Sequence, residues 1–201
     1  MVRTLKRTLI WILFLFLLET LLIACNCPEA ASLRYTNGRL TVLSLDNACA
    51  QPQLSGSASV NKNAYGIRIN MERILVAAAY GNRHFGNSAY ATSKRCFTAE
   101  YHPVTTIETI RILSLYDFDA THPAGADLSA YFKQVKYGKF ADLENLYDAA
   151  SQVFYDDVLM PLEADVLLIR APESAGMHTF VVEAQLSDGT LLSDTTSVQL
   201  Y

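Results

Sequence analysis

Between Tyr65 and Asn70 the chain alternates, with Tyr65, Ile67 and Ile69 on one side and Gly66, Arg68 and Asn70 on the other. That is the period of a strand with one face buried. The same alternation returns near the C-terminus, where "HTFVVEAQL" sets Phe180, Val182, Ala184 and Leu186 on one face. "SDGT" then supplies a tight turn into "LLSDTTSVQLY", because an Asp-Gly pair accepts the backbone angles that match strand twist. "LTVLSL" (40–45), "TTIETIRILSLYDF" (105–118) and "ADVLLIRAP" (164–172) are strand candidates by length and side-chain type, the last ended by proline. "ILVAAAY" (74–80) fits a buried strand or a short helix equally well. Residues 51–63 and 81–96, rich in Gly, Ser and Asn, read as loops.

Two segments carry helical spacing instead. Asp127 can cap "LSAYFKQV", and "ADLENLYDAA" places Leu143, Leu146 and Tyr147 three to four residues apart. Two paired terminal strands with a third entering before them look like the closing strands of an immunoglobulin-like fold. The expectation is therefore a mainly β chain, an immunoglobulin-like β-sandwich with a short helical insertion at about 127–150, in a single domain over 39–201.

The first 24 residues follow a different logic. Arg3, Lys6 and Arg7 precede the apolar run "TLIWILFLFLL" (8–18), the layout of a secretory signal peptide. Glu19 interrupts the run after eleven residues, where roughly twenty are needed to cross a bilayer. "LIAC" (22–25) resembles the bacterial lipobox, in which the cysteine receives lipid and becomes the new N-terminus. The reading is a lipoprotein signal peptide over 1–24, lipidation at Cys25 and a tether over 25–38, with an ordinary cleaved signal or an uncleaved anchor as the alternatives. Cys25 and Cys27 alone make no zinc signature, since no second ligand pair or histidine accompanies them.

Removing the signal changes the composition that matters. The sole tryptophan, Trp11, leaves with it, and the remainder holds 13 basic against 19 acidic residues, a formal charge of −6. Such a surface disfavours nucleic acid, whose phosphates must be neutralised by Lys and Arg. Outside the cytoplasm thiols tend to oxidise. Cys49 and Cys96 form the preferred bridge because Cys27 sits in the tether, with three unpaired thiols as the other reading.

The densest candidate chemistry is "DFDATHPAG" (117–125), where Asp117, Asp119 and His122 share a loop. Closely spaced carboxylates could hold Ca²⁺, and a histidine added to them suits a transition metal. The competing reading is a structural turn, because Asp in turns accepts hydrogen bonds from its own backbone. His84, His102, His122 and His178 are scattered, and no nucleophile elbow, zinc helix, Walker loop or dinucleotide fingerprint is present. Seven carboxylates without a Lys or Arg between Asp142 and Asp165 suit a solvated face or a basic partner.

The order of "SAYATSKRC", "IETIRILSLYDFDATHPAGADLSAYF" and "HTFVVEAQLSDGT…DTTSVQL" behind a lipobox resembles a domain of unknown function found in Bacteroidetes lipoproteins. The resemblance implies a cell-envelope location, most simply the outer membrane, with either its surface or its periplasmic face open. It also implies a β-rich fold and assigns no catalytic residues or cofactor. In that setting Asp194-Thr195-Thr196 resembles an O-glycosylation site at Thr195, with a strand-edge turn as the alternative. The expected function is a noncatalytic accessory or protein-interaction module held to the membrane by its N-terminal lipid. A glycan-binding lipoprotein is the runner-up, and an enzyme using Asp117, Asp119 and His122 comes third.

Overall fold

The computed structural model describes residues 11, 12, 14, 31–56, 59–79, 99–136, 139–144, 146, 154–156 and 158–201. Among the described residues no helix is long and apolar enough to cross a membrane. The strands are β1 (Ala31–Asp46), β2 (Gln53–Leu54), β3 (Ser59–Val60), β4 (Tyr65–Ala79), β5 (Ala99–Pro103), β6 (Ile107–Ser114), β7 (Phe132–Lys136), β8 (Lys139–Ala141), β9 (Phe154–Asp156), β10 (Leu162–Leu168), β11 (Gly176–Leu186) and β12 (Leu191–Leu200). They form two sheets. The larger runs β8-β7-β10-β4-β1-β5-β9 with β2 added to β1, and the smaller runs β3-β12-β11-β6.

Alternation in the sequence becomes burial here. Tyr65, Ile67, Ile69 and Met71 of β4 and Phe180, Val182, Ala184 and Leu186 of β11 all turn into one core between the sheets. Tyr65 stacks on Phe180 with ring centroids 5.3 Å apart, and Phe132 meets the same ring edge-on at 5.7 Å. Gly66 is required by close packing on the other face of β4. A Cβ there would lie 2.7 Å from Leu167 Cδ2 and 2.9 Å from the Val166 carbonyl oxygen. The hairpin turn ends on Gly189, whose φ of +86° an L side chain rarely adopts.

Three expectations need correction. "LSAYFKQV" does not form a helix: Ser129–Tyr131 is a single 3₁₀ turn, and Phe132–Lys136 is β7, paired with β10 and β8. Asp127 does accept the Ser129 N–H at 2.9 Å, so the capping chemistry is real but serves a turn. The open edge of β10 offers a ladder that a marginal eight-residue helix cannot match. Within "ADLENLYDAA" the described Glu144 and Leu146 are helical, as the spacing predicts, and the Leu146 N–H reaches the Leu143 carbonyl at 2.8 Å. The strand before the terminal hairpin, β10, joins the opposite sheet, and β6 pairs with β11 instead. Finally, β1 begins at Ala31, inside the stretch read as tether, and Asn37-Gly38 lies at an irregularity in the β1–β4 ladder, not in a turn.

"ILVAAAY" extends β4 past the core, and Ile74, Leu75 and Val76 are exposed. β1 and β5 carry a smaller second cluster, Tyr35, Ala99 and Tyr101, beyond the main one. β1 has 16 residues, so the two ends of the sheet lie about 50 Å apart at ~3.3 Å per residue.

Candidate functional site

The loop after β6 sits at the pole where β1 ends and β11 begins. Phe118, fully buried, anchors it by packing against Tyr131 and His178 at centroid distances of 5.8 and 6.2 Å. The Asp119–His122 turn is closed by the His122 N–H on the Asp119 carbonyl at 3.1 Å and by the Phe118 N–H on the His122 carbonyl at 2.8 Å. Asp117 Oδ1 accepts the Ala124 N–H at 2.8 Å, so its carboxylate braces the loop. Gly125 takes a φ of +85° to lead the chain into Asp127, whose Oδ2 accepts from Arg111 Nε at 3.1 Å.

Asp119 and His122 come together. Asp119 Oδ1 accepts from the Thr121 N–H at 2.8 Å and the Thr121 hydroxyl at 2.7 Å, and His122 Nδ1 lies 2.8 Å from the same oxygen. An ionised carboxylate can only accept, so Nδ1 carries the proton in this pair. These donors, with His122 first, hold the Asp119 carboxyl well below the usual carboxylate range. Its Oδ2 is buried without a hydrogen bond, 3.6 Å from Arg170 Nη2. Arg170 also donates from Nη1 to the Tyr131 hydroxyl at 2.8 Å, while the Tyr131 ring lies 4.8 Å from the His122 ring. Glu173 completes the group by accepting the Ala120 N–H at 3.2 Å.

Two shallow depressions flank this network. One, of about 290 Å³, is lined by Asp117, Phe118, Asp119, Pro123, Glu173 and Ser174; the other, of about 230 Å³, includes Thr121 and Arg170. Small-molecule sites usually occupy ~300–1,000 Å³, so these dimples suit a side chain or part of a larger ligand. Tyr131, Arg170 and Glu173 carry no local sequence signal, because they reach this loop from other segments of the chain.

Among the described residues no group of three His, Cys, Asp or Glu is placed to hold a metal. Oδ1 of Asp119 is filled by three donors and Oδ2 faces a guanidinium. A Ca²⁺ ion, which takes 6–8 oxygen ligands, would have to compete with these donors for Asp119.

Of the cysteines, Cys49 is exposed and free after β1. Cys25, Cys27 and Cys96 lie outside the described residues, and with them the lipidation site and the partner of the expected bridge. Asp194-Thr195-Thr196 is mid-strand in β12, not a turn. Asp194 Oδ2 accepts the Val42 N–H of β1 at 2.8 Å, and the Thr196 hydroxyl lies 2.8 Å from that of Ser44, so both join the two sheets. Thr195 is exposed.

The acidic stretch is partly neutralised. Lys133 pairs with Asp142, and Arg68 pairs with Glu163 at 3.2 Å and bidentately with Asp165 at 2.7 and 2.8 Å. Among the described tyrosines, Tyr35, Tyr65 and Tyr101 are in the core, Tyr131 is half-buried, and Tyr116 and Tyr201 are exposed.

The chain is similar to the C-terminal domain of the antigen I/II-family protein AspA of Streptococcus pyogenes, at 11% identity and a TM-score of 0.30. The match covers 81% of this chain and 46% of that one, so the chain spans about half the length of that structure. No curated protein matches it. A family model matches residues 37–197, and the chain thus belongs to the family described as domain of unknown function DUF5034.

Proposed function

We propose that this protein is a cell-envelope lipoprotein, anchored through lipid on Cys25 at the outer membrane, whose immunoglobulin-like sandwich serves as a noncatalytic protein-interaction module. The observation that carries the reading is the N-terminal order: basic residues, an eleven-residue apolar run, then Leu22-Ile23-Ala24-Cys25 only a few residues before β1 opens at Ala31. Crossing of the chain from the larger sheet to the smaller at β6, and back again before β11, supports an immunoglobulin-like arrangement. The network of Asp119, His122, Tyr131 and Arg170 lies at the pole away from Ala31, the end an N-terminal anchor would present outward. Its polar groups and shallow relief suit recognition of another protein. Burial of three tyrosines in the core removes stacking surface from the glycan-binding alternative.

Palmitate labelling of cells carrying the wild type or Cys25→Ala tests the anchor; continued labelling of the variant refutes it. In the same cells a photo-crosslinking residue at Ala120, exposed beside both depressions, gives a discrete adduct that the same residue at Ser193 does not. Equal behaviour at the two positions refutes the outer pole as the binding face.

A further inference from the structure

The pole near Ala31 is apolar in a way the core does not explain. Ile74, Leu75 and Val76 at the end of β4 are 44%, 49% and 52% exposed. Ile74 and Leu75 pair with Thr36 and Tyr35 near the start of β1, and Val76 falls at the irregularity that follows. Val104 is exposed beside them, its N–H on the Tyr35 carbonyl at 2.7 Å. Val158 and Met160 are exposed too, and the Met160 carbonyl accepts from Arg73 Nη1 at 3.3 Å. Six large aliphatic side chains thus gather at one end, where β4 and the segments following β5 and β9 converge. Exposed apolar side chains grouped at one end of a fold in this way mark a binding surface.

The length of chain before Ala31 says what that surface meets. Only five residues separate Cys25 from Ala31. At no more than ~3.6 Å per residue the lipidated cysteine lies within about 20 Å of the start of β1. A partner protein would have to fit inside that gap, whereas the bilayer is already there. Exposed Arg34 and Arg39 on β1 add two guanidinium groups for anionic headgroups, with Glu72 the exposed carboxylate on the facing strand. We infer that the apolar pole formed by Ile74, Leu75, Val76, Val104, Val158 and Met160 rests on the membrane that holds the lipid anchor. It holds the long axis of the sheets upright and the Asp119–His122 pole away from the bilayer. The inference rests on lipidation of Cys25.

The absence of tryptophan after residue 24 provides the test. The full chain carrying Trp11→Phe is expressed with either Val76→Trp or Leu115→Trp, both at exposed positions, and the lipidated product is reconstituted into phosphatidylethanolamine–phosphatidylglycerol vesicles. Flotation with the vesicles reports the anchor independently of fluorescence. With brominated acyl chains the Val76→Trp emission is expected to fall at least twofold and to be blue-shifted, and that of Leu115→Trp to stay unchanged. Flotation with equal, weak quenching at both positions overturns the membrane contact while leaving the anchor intact. A blue shift at Val76→Trp that depends on protein concentration and not on bromine assigns the patch to a second copy or another segment, and also overturns it. Failure to float, with no palmitate incorporated, overturns the anchor and the inference with it.

Discussion

Asp194→Ala removes the only acceptor seen for the Val42 N–H among the described residues. β5 pairs with β1 over Ala31–Tyr35 and β2 pairs with it at Leu45–Asp46, so among the described residues the edge between them has no strand beside it. Asp194 fills part of that gap from the opposite sheet, at 2.8 Å, and Val42 itself is 5% exposed. A largely buried donor that loses its partner costs ~1–3 kcal/mol, and a hydrogen bond to a charged group sits in the upper part of that range. About 2 kcal/mol corresponds to a fall in Tm of about 4–8 °C for a domain of this size. Asp194→Asn keeps an acceptor oxygen and should lose less than ~1 kcal/mol. Thr195→Val, at an exposed site one residue on, should stay within ~0.5 kcal/mol. Urea unfolding followed by circular dichroism separates the three, with an unchanged slope showing that the unfolded states match. A loss below ~0.5 kcal/mol for Asp194→Ala would show that the edge of β1 finds its partner elsewhere and would refute the stitching role.

Gly66→Ala should destabilise by ~1–3 kcal/mol, because the new Cβ meets the Val166 carbonyl oxygen of the neighbouring strand, which can move only with its ladder. Gly56→Ala, with nothing within 4 Å of the new carbon, should be neutral or slightly stabilising in the same melt. Asp119 has its carboxyl pKa lowered by His122 and Thr121. Its contribution is therefore complete above the ordinary carboxylate range near ~4 and is lost as pH falls below it. Asp119→Asn should lower stability at pH 7 and flatten the decline between pH 4 and 2; an acid limb as steep as the wild type's would remove the His122 pair from the account.

Which residues face the core was legible from alternation alone, since a strand has a period of two and only one face of each sheet is covered. Ile67, Ile69, Phe180 and Val182 needed nothing more, and the Asp188-Gly189 turn named its own hairpin. Periodicity does not say which strand lies beside which. That β11 takes β6, that β10 joins the other sheet, and that "FKQVK" becomes a strand on its edge were settled by ladders closed between distant segments. The site divides the same way. Asp119 and His122 meet because a four-residue turn joins them, whereas Arg170 and Tyr131 reach them only after two strands have packed. Asp194 lies 152 residues from Val42, and its role exists only once the two sheets are face to face. Local spacing along a chain carries local geometry; a partner that arrives from far away in sequence is chosen by packing.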